Sequence, residues 1–182
     1  MTQGKSCQES EILKIGVPKE PENENRVAIV PSSMKKLAKA GFEVLIEKGA
    51  GVLANYNDSD YEAAGAILAD REAVMSCPNI IAINFPGVEG ISEGTNLVCV
   101  ADPFRNPENV KQCMKGNITL MSMDMIPRRL SRAQSMDVNS SQDNLSGYKA
   151  VLLGAANVPK GIPMMTTSCL LYTSDAADDA SS

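Results

Sequence analysis

Between Pro127 and Ala150 the chain reads PRRLSRAQSMDVNSSQDNLSGYKA. Three arginines (Arg128, Arg129, Arg132), Gln134, Asp137 and the pair Ser140 and Ser141 crowd into this one stretch. A guanidinium offers donors in a flat fork, a carboxamide offers donors and acceptors, and a carboxylate only accepts. Side chains of these types can bond one another and present a fixed array to a polar ligand. The chemistry such an array suits is positioning, and groups of this kind commonly sit on a loop carried by a rigid scaffold. The remainder of the sequence reads as that scaffold.

Composition narrows the options. The 182 residues include no histidine, which removes the commonest neutral-pH acid/base and any Ser-His-Asp or Cys-His nucleophile. The five cysteines form no C-x-x-C pair, which suits scattered reduced thiols in a reducing compartment and speaks against a zinc site. A net charge of −5 gives no basic footprint for nucleic acid. With no Trp, three Phe and four Tyr, the core must be aliphatic. No apolar run approaches the ~18 residues of a membrane span. The opening MTQGKSCQESE lacks an apolar signal-peptide core, so residues 1–11 are expected to be a disordered polar leader.

The hydrophobic pattern supplies the elements that carry the loop. Apolar runs of strand length stand at 12–17, 42–47, 66–68, 79–85, 96–101 and 118–123. A further apolar run, Val27 to Val30, is closed by Pro31. Helical patterns lie between them: one capped by Ser32 or Ser33 and ended by Gly41, one from Ser59 to Ala64, a turn at 72–75, and one from Pro107 to Lys115. Alternation at this spacing predicts an α/β fold with a doubly wound, mainly parallel sheet, flavodoxin- or Rossmann-like. Right-handed crossovers then put helices on both faces.

Two features of the residues now identify a kinship. The stretch after Pro127 follows the pattern P-R-I/V-S/T-R-A-Q-x-M/L-D-x-x-S-S-x-x-N-I/L-x-G-Y-K/R-A, and the opening reads IGVPKE…NENRVAIVP. The first resembles the NAD-binding component of proton-translocating NAD(P) transhydrogenase. The second resembles the N-terminal domain shared by alanine dehydrogenases and transhydrogenases. Arg128-Arg129-Leu130 stands where the pattern has one arginine and one aliphatic residue, and counting back from Gln134 favours Arg129 for the family role. The resemblance implies that Arg129, Gln134, Asp137 and Ser140 contact the nicotinamide end of NAD(H). It implies NADP(H) on a partner component, proton movement through a separate membrane component, a homodimer, and a place on the soluble face of a bacterial plasma membrane or mitochondrial inner membrane.

Plainer roles compete for the same residues. Ser140 and Asp143 fit a capping box for the following helix. Arg132 is expected to make a structural ion pair, and Asp137 could simply fix an arginine. Leu145, Tyr148, Leu152 and Ala155 share a helical face and read as core or dimer contact. Arg26 could take a substrate carboxylate, as alanine dehydrogenase kinship implies, or pair with nearby glutamates. That dehydrogenase would also require a lysine where Asn84 stands and a histidine near VCVADPFRNPE, and both are missing.

Two stretches invite a wrong reading. Gly49 to Ala54 matches G-x-G-x-x-A, with Asp70 some way beyond, as in a dinucleotide fingerprint. Phosphate binding, however, needs the glycines to open a helix directly, and here NYNDSDYE intervenes, with the cap expected at Asp58 or Ser59. A tight turn is the better reading. At the other end, Cys169 to Asp178 reads as the translation of a sequencing-library adapter, so 169–182 is set aside. The expected organisation is an N-terminal α/β domain over 12–138 and a helix over 139–160 leading towards an absent NAD-binding Rossmann domain. An alternative reading is that the piece is an inactive structural or dimerisation fragment.

Overall fold

The computed structural model describes residues 13–159. The expected leader, the approach to a further domain after Pro159, and the adapter-like tail lie outside the described residues. Six parallel strands form one sheet: β1 (Leu13–Val17), β2 (Phe42–Glu47), β3 (Ile67–Ala69), β4 (Asn79–Asn84), β5 (Asn96–Val100) and β6 (Thr119–Ser122). Their order across the sheet is β3-β2-β1-β4-β5-β6. The helices of this sheet are α1 (Pro31–Lys39), α2 (Asp58–Ala63), α3 (Arg71–Met75) and α4 (Pro107–Lys115). The doubly wound parallel fold expected from the alternation is what the chain adopts.

The order reverses direction at β1. Strands β1 to β3 step one way, then the chain returns across β1 to place β4 on its other side. Right-handed crossovers therefore set α1 and α2 on one face and α3 and α4 on the other. Each face has its own core. Ile15, Val17, Val44 and Ile46 pack with Met34 of α1 and Tyr61 of α2. Ile80, Ala82, Leu97 and Cys99 pack with Met75 of α3 and Cys113 of α4. Gly16 is paired in register with Ile80 and so shares the second face. A Cβ on Gly16 would lie 2.2 Å from the Val74 carbonyl oxygen, so α3 rests directly on the central strand. Cys77, Cys99 and Cys113 are buried free thiols, and burial pushes that of Cys99 up to about 12.

Helix starts depart from expectation in two places. Pro31, and neither serine, occupies the first position of α1, with Val30 as its boundary. Proline is favoured there because its missing N–H has no intrahelical partner in any case. Gly41, at φ 87, follows that helix as foreseen. In α2 the cap is Asn57, which forms a capping box with Asp60 in place of the expected Asp58 or Ser59. The run Val27 to Val30 forms no strand, yet Val27 and Ile29 are buried and the Ile29 carbonyl accepts the Tyr61 hydroxyl at 2.9 Å.

The chain divides into two units, Met1–Asp137 and Val138–Ser182. The described part of the second is a single helix, α5 (Val138–Asn157). Taken by itself it exposes its apolar stripe, with Leu145, Tyr148 and Leu152 all open to solvent.

The contact at Gly16 makes a direct prediction. Gly16→Ala drives a methyl into a backbone carbonyl that cannot rotate away, and should cost roughly 2–3 kcal/mol or more. Urea unfolding of the variant measures this; a midpoint equal to that of the parent chain would show that α3 does not bear on β1 as described.

Candidate functional site

In an open parallel sheet the loops leaving two neighbouring strands diverge where the order reverses, and the gap between them is a crevice. Here that gap lies beyond the ends of β1 and β4. A cleft of about 280 Å³ opens there, lined by Pro18 to Pro21 from the first loop, Asn84 to Pro86 from the second, and Glu47 and Arg71 beside them. Glu20, only 7 % exposed, points across the gap. Its carboxylate accepts from the backbone N–H of Ile83 at 2.6 Å and of Asn84 at 3.1 Å, and from the Asn84 amide at 3.1 Å. Glu47 accepts from the Lys19 N–H at 2.8 Å and from the Arg71 guanidinium at 3.1 Å.

Arg26 sits on the same loop. Its Nε and Nη2 donate to Glu24 at 2.8 and 2.6 Å, and its backbone N–H does so at 2.9 Å. The carboxylate on this guanidinium is thus the protein's own, as the plainer reading held. The Arg26 hydrogen bond, more than any other influence, holds the Glu24 carboxyl well down, at about 2. Asn84 also donates to Glu24, at 3.4 Å.

The glycine loop at 49–51 is a turn. Gly49 has φ 73, which glycine adopts freely, and its N–H donates to Asp58 at 2.9 Å. A Cβ on Gly51 would fall 2.6 Å from the Tyr61 ring. Three residues of 3₁₀ turn follow, and the next helix opens only at Asp58. Asp70 pairs with Lys48 at 3.0 Å. The mechanical objection to a dinucleotide site is met by an acidic side chain on the very N–H a phosphate would need.

The segment after Pro127 follows the edge strand β6 as consecutive turns: Ala133 N–H donates to Leu130 O, Met136 to Ala133 O, and Asp137 to Gln134 O. Ala133 and Asp137 are buried at its centre. The structure brings Asp137 to Arg128, at 3.9 Å, and not to Arg129. Arg129 and Gln134 are exposed, with no side-chain partner among the described residues. Arg132 likewise makes no ion pair among the described residues, contrary to the structural pairing expected of it. Ser140 belongs to the second unit, inside α5, which begins at Val138. It therefore lies two residues inside that helix and is not its N-cap. None of these residues lines the crevice at β1 and β4.

Sequence reading gave no role to Glu20, Glu47, Ile83 or Arg71, and noted Asn84 only as the place of a missing lysine. The one local signal was an acidic residue three positions beyond the end of β1, in PKE. Its donors lie 63 and 64 residues further on.

The Arg26–Glu24 pair has a pH signature. A carboxyl depressed in the fold from 4.5 to about 2 adds stability that is present above its unfolded value and disappears as the pH falls through about 2. Arg26→Ala should return the Glu24 titration, followed by carboxyl NMR, towards 4.5, and flatten the loss of stability between these limits. An unchanged titration would contradict the pairing.

Comparison with known proteins adds a lineage to this geometry. The family described as alanine dehydrogenase/PNT, N-terminal domain, matches residues 16–146. The first portion of the NAD(P) transhydrogenase subunit alpha of Rhodospirillum rubrum is 41% identical over 167 residues, 86% of this chain and 43% of its own length. The NAD(P) transhydrogenase subunit alpha of Haemophilus influenzae is 39% identical over 147 residues, 79% of this chain and 28% of its own. The crystal structure of transhydrogenase from Sinorhizobium meliloti superposes with a TM-score of 0.78 at 36% identity, covering 86% of this chain and 48% of that one. The chain thus spans less than half the length of the relatives it matches. On sequence and fold together, it belongs to the alanine dehydrogenase/PNT N-terminal domain family.

Proposed function

We propose that the chain is the N-terminal part of the NAD(H)-binding component of a proton-translocating NAD(P) transhydrogenase. In this reading the 12–138 domain carries the loop after Pro127, and α5 leads to a nucleotide-binding domain beyond. The observation that carries the reading is the division of labour in that loop. Asp137 is engaged with Arg128, while the Arg129 and Gln134 side chains stand exposed and unpartnered among the described residues.

The reaction passes a hydride between two nicotinamide rings, one of NAD(H) and one of NADP(H). It asks no nucleophile of the protein, only that the rings be held near ~3–3.5 Å with water excluded. Arg129 has donors for a carboxamide oxygen, and Gln134 has both a donor and an acceptor for the same group. Asp137, anchored to Arg128, holds the turn that presents them. Kinship alone adds Ser140, which lies in the second unit, to this set. Proton movement and the NADP(H) site belong to partner components, and no described helix is long and apolar enough to cross a membrane. The assembly sits at the soluble face of an energy-transducing membrane. The exposed stripe of α5 suits a homodimer contact.

Alanine dehydrogenase activity fits less well. Oxidising an amino acid passes through imine and carbinolamine steps that need an acid/base. Asn84 stands where that enzyme's lysine would be, and the sequence has no histidine. Hydride exchange between nicotinamides makes no such demand.

In a longer chain carrying the proposed nucleotide-binding domain, Arg129→Ala and Gln134→Ala should each slow hydride transfer roughly a hundredfold in single-turnover kinetics, with NADH affinity changed only a few-fold. Arg128→Ala, acting through Asp137, should be milder. A severe Arg128→Ala beside a silent Arg129→Ala would transfer the role to Arg128. For the 182-residue chain alone, calorimetry with NADH should give no measurable heat of binding; micromolar affinity would mean that it holds a complete site.

A further inference from the structure

We propose that the crevice between β1 and β4 is a carboxylate site that the chain fills with its own side chain, Glu20. Unequal strand lengths create the site. Gly16 pairs with Ile80, so β1 ends at about the level of Ile81, and β4 runs on to Asn84. Beyond that level the β1 side of β4 has no strand to receive its N–H groups. On the other side, the register between β4 and β5 shifts between Ile81 and Asn84. Such an irregularity lets two consecutive N–H groups turn the same way. Those of Ile83 and Asn84 do so, and both meet Glu20.

The pattern of bonds is that of a bound acid. Glu20 Oε1 takes the Ile83 N–H, and Oε2 takes the Asn84 N–H and the Asn84 side-chain amide. Donors converging on a gap at the reversal point of a parallel sheet are where such folds hold anionic ligands. The neighbouring guanidinium groups are also occupied from within, Arg26 by Glu24 and Arg71 by Glu47. Three glutamates therefore use the donors that a small free carboxylate would require. The crevice excludes small carboxylates in the wild-type chain, and Glu20 serves as a positioning residue that joins the loops after β1 and β4.

Deleting the side chain should leave a vacancy of carboxylate shape. The test is thermal unfolding of the 182-residue chain and its Glu20→Ala variant in sodium formate or acetate, against sodium chloride at equal ionic strength. The variant should melt several degrees below wild type, and formate or acetate should restore much of the difference along a saturating curve, while wild type responds as it does to chloride. A variant that melts like wild type, or one that carboxylates fail to restore, would overturn the proposal. If Glu20→Ala does not fold, the amide resonances of Ile83 and Asn84 in wild type decide. Resonances that stay still on adding formate support an internal ligand, and saturable movement refutes one. No nucleotide enters these measurements, so their failure would leave the hydride-transfer reading untouched.

Discussion

The five residues of β1 carry the heaviest constraint in the molecule. This strand has neighbours on both sides and a core on each face, and the order of the sheet reverses beside it. Gly16 provides the room that lets α3 rest on the strand. Immediately beyond, Glu20 ties the loop after β1 to the end of β4 through three donors. Burying a carboxylate without such donors would cost several kcal/mol, a large fraction of a domain's net stability. The loop geometry and the satisfaction of that charge are consequently one problem with one solution.

The same economy of charge separates structure from chemistry along the sheet. At its centre the acidic groups are matched within the chain: Glu20 with Ile83 and Asn84, Glu24 with Arg26, Glu47 with Arg71 and Lys19. Past the edge strand β6 the balance differs. The turns from Pro127 bury Ala133 and Asp137 and leave Arg129 and Gln134 facing outward. In our proposal the centre of the sheet is a closed support, and ligand-directed groups sit on the loop after its last strand.

Legibility in the sequence followed the range of the forces involved. Strands such as 79–84 and helices such as 107–115 were readable because their periodicity and end signals are local. The G-A-G turn was readable because phosphate binding makes a mechanical demand that NYNDSDYE cannot meet. The cap of α2 was missed by one residue, since Asn57, Asp58 and Ser59 are all competent, and both Asn57 before Asp60 and Ser59 before Glu62 have capping-box spacing. The helix start expected at Ser140 was misplaced because α5 begins two residues before it. Glu20 was invisible because its partners are over sixty residues distant, and the choice of Asp137 for Arg128 depends on how the turns stack, which spacing alone does not reveal.

The central claim, that ligand-directed chemistry belongs to the turns after Pro127 and not to the crevice at β1 and β4, has one direct measurement. It is NADH titration of a longer chain carrying the expected nucleotide-binding domain, followed by NMR at the Arg129 Nε, the Gln134 side-chain amide, and the Ile83 and Asn84 backbone amides. Saturable shifts at Arg129 and Gln134, with Ile83 and Asn84 unmoved, are the predicted result. Movement of Ile83 and Asn84 while Arg129 and Gln134 stay still would contradict it.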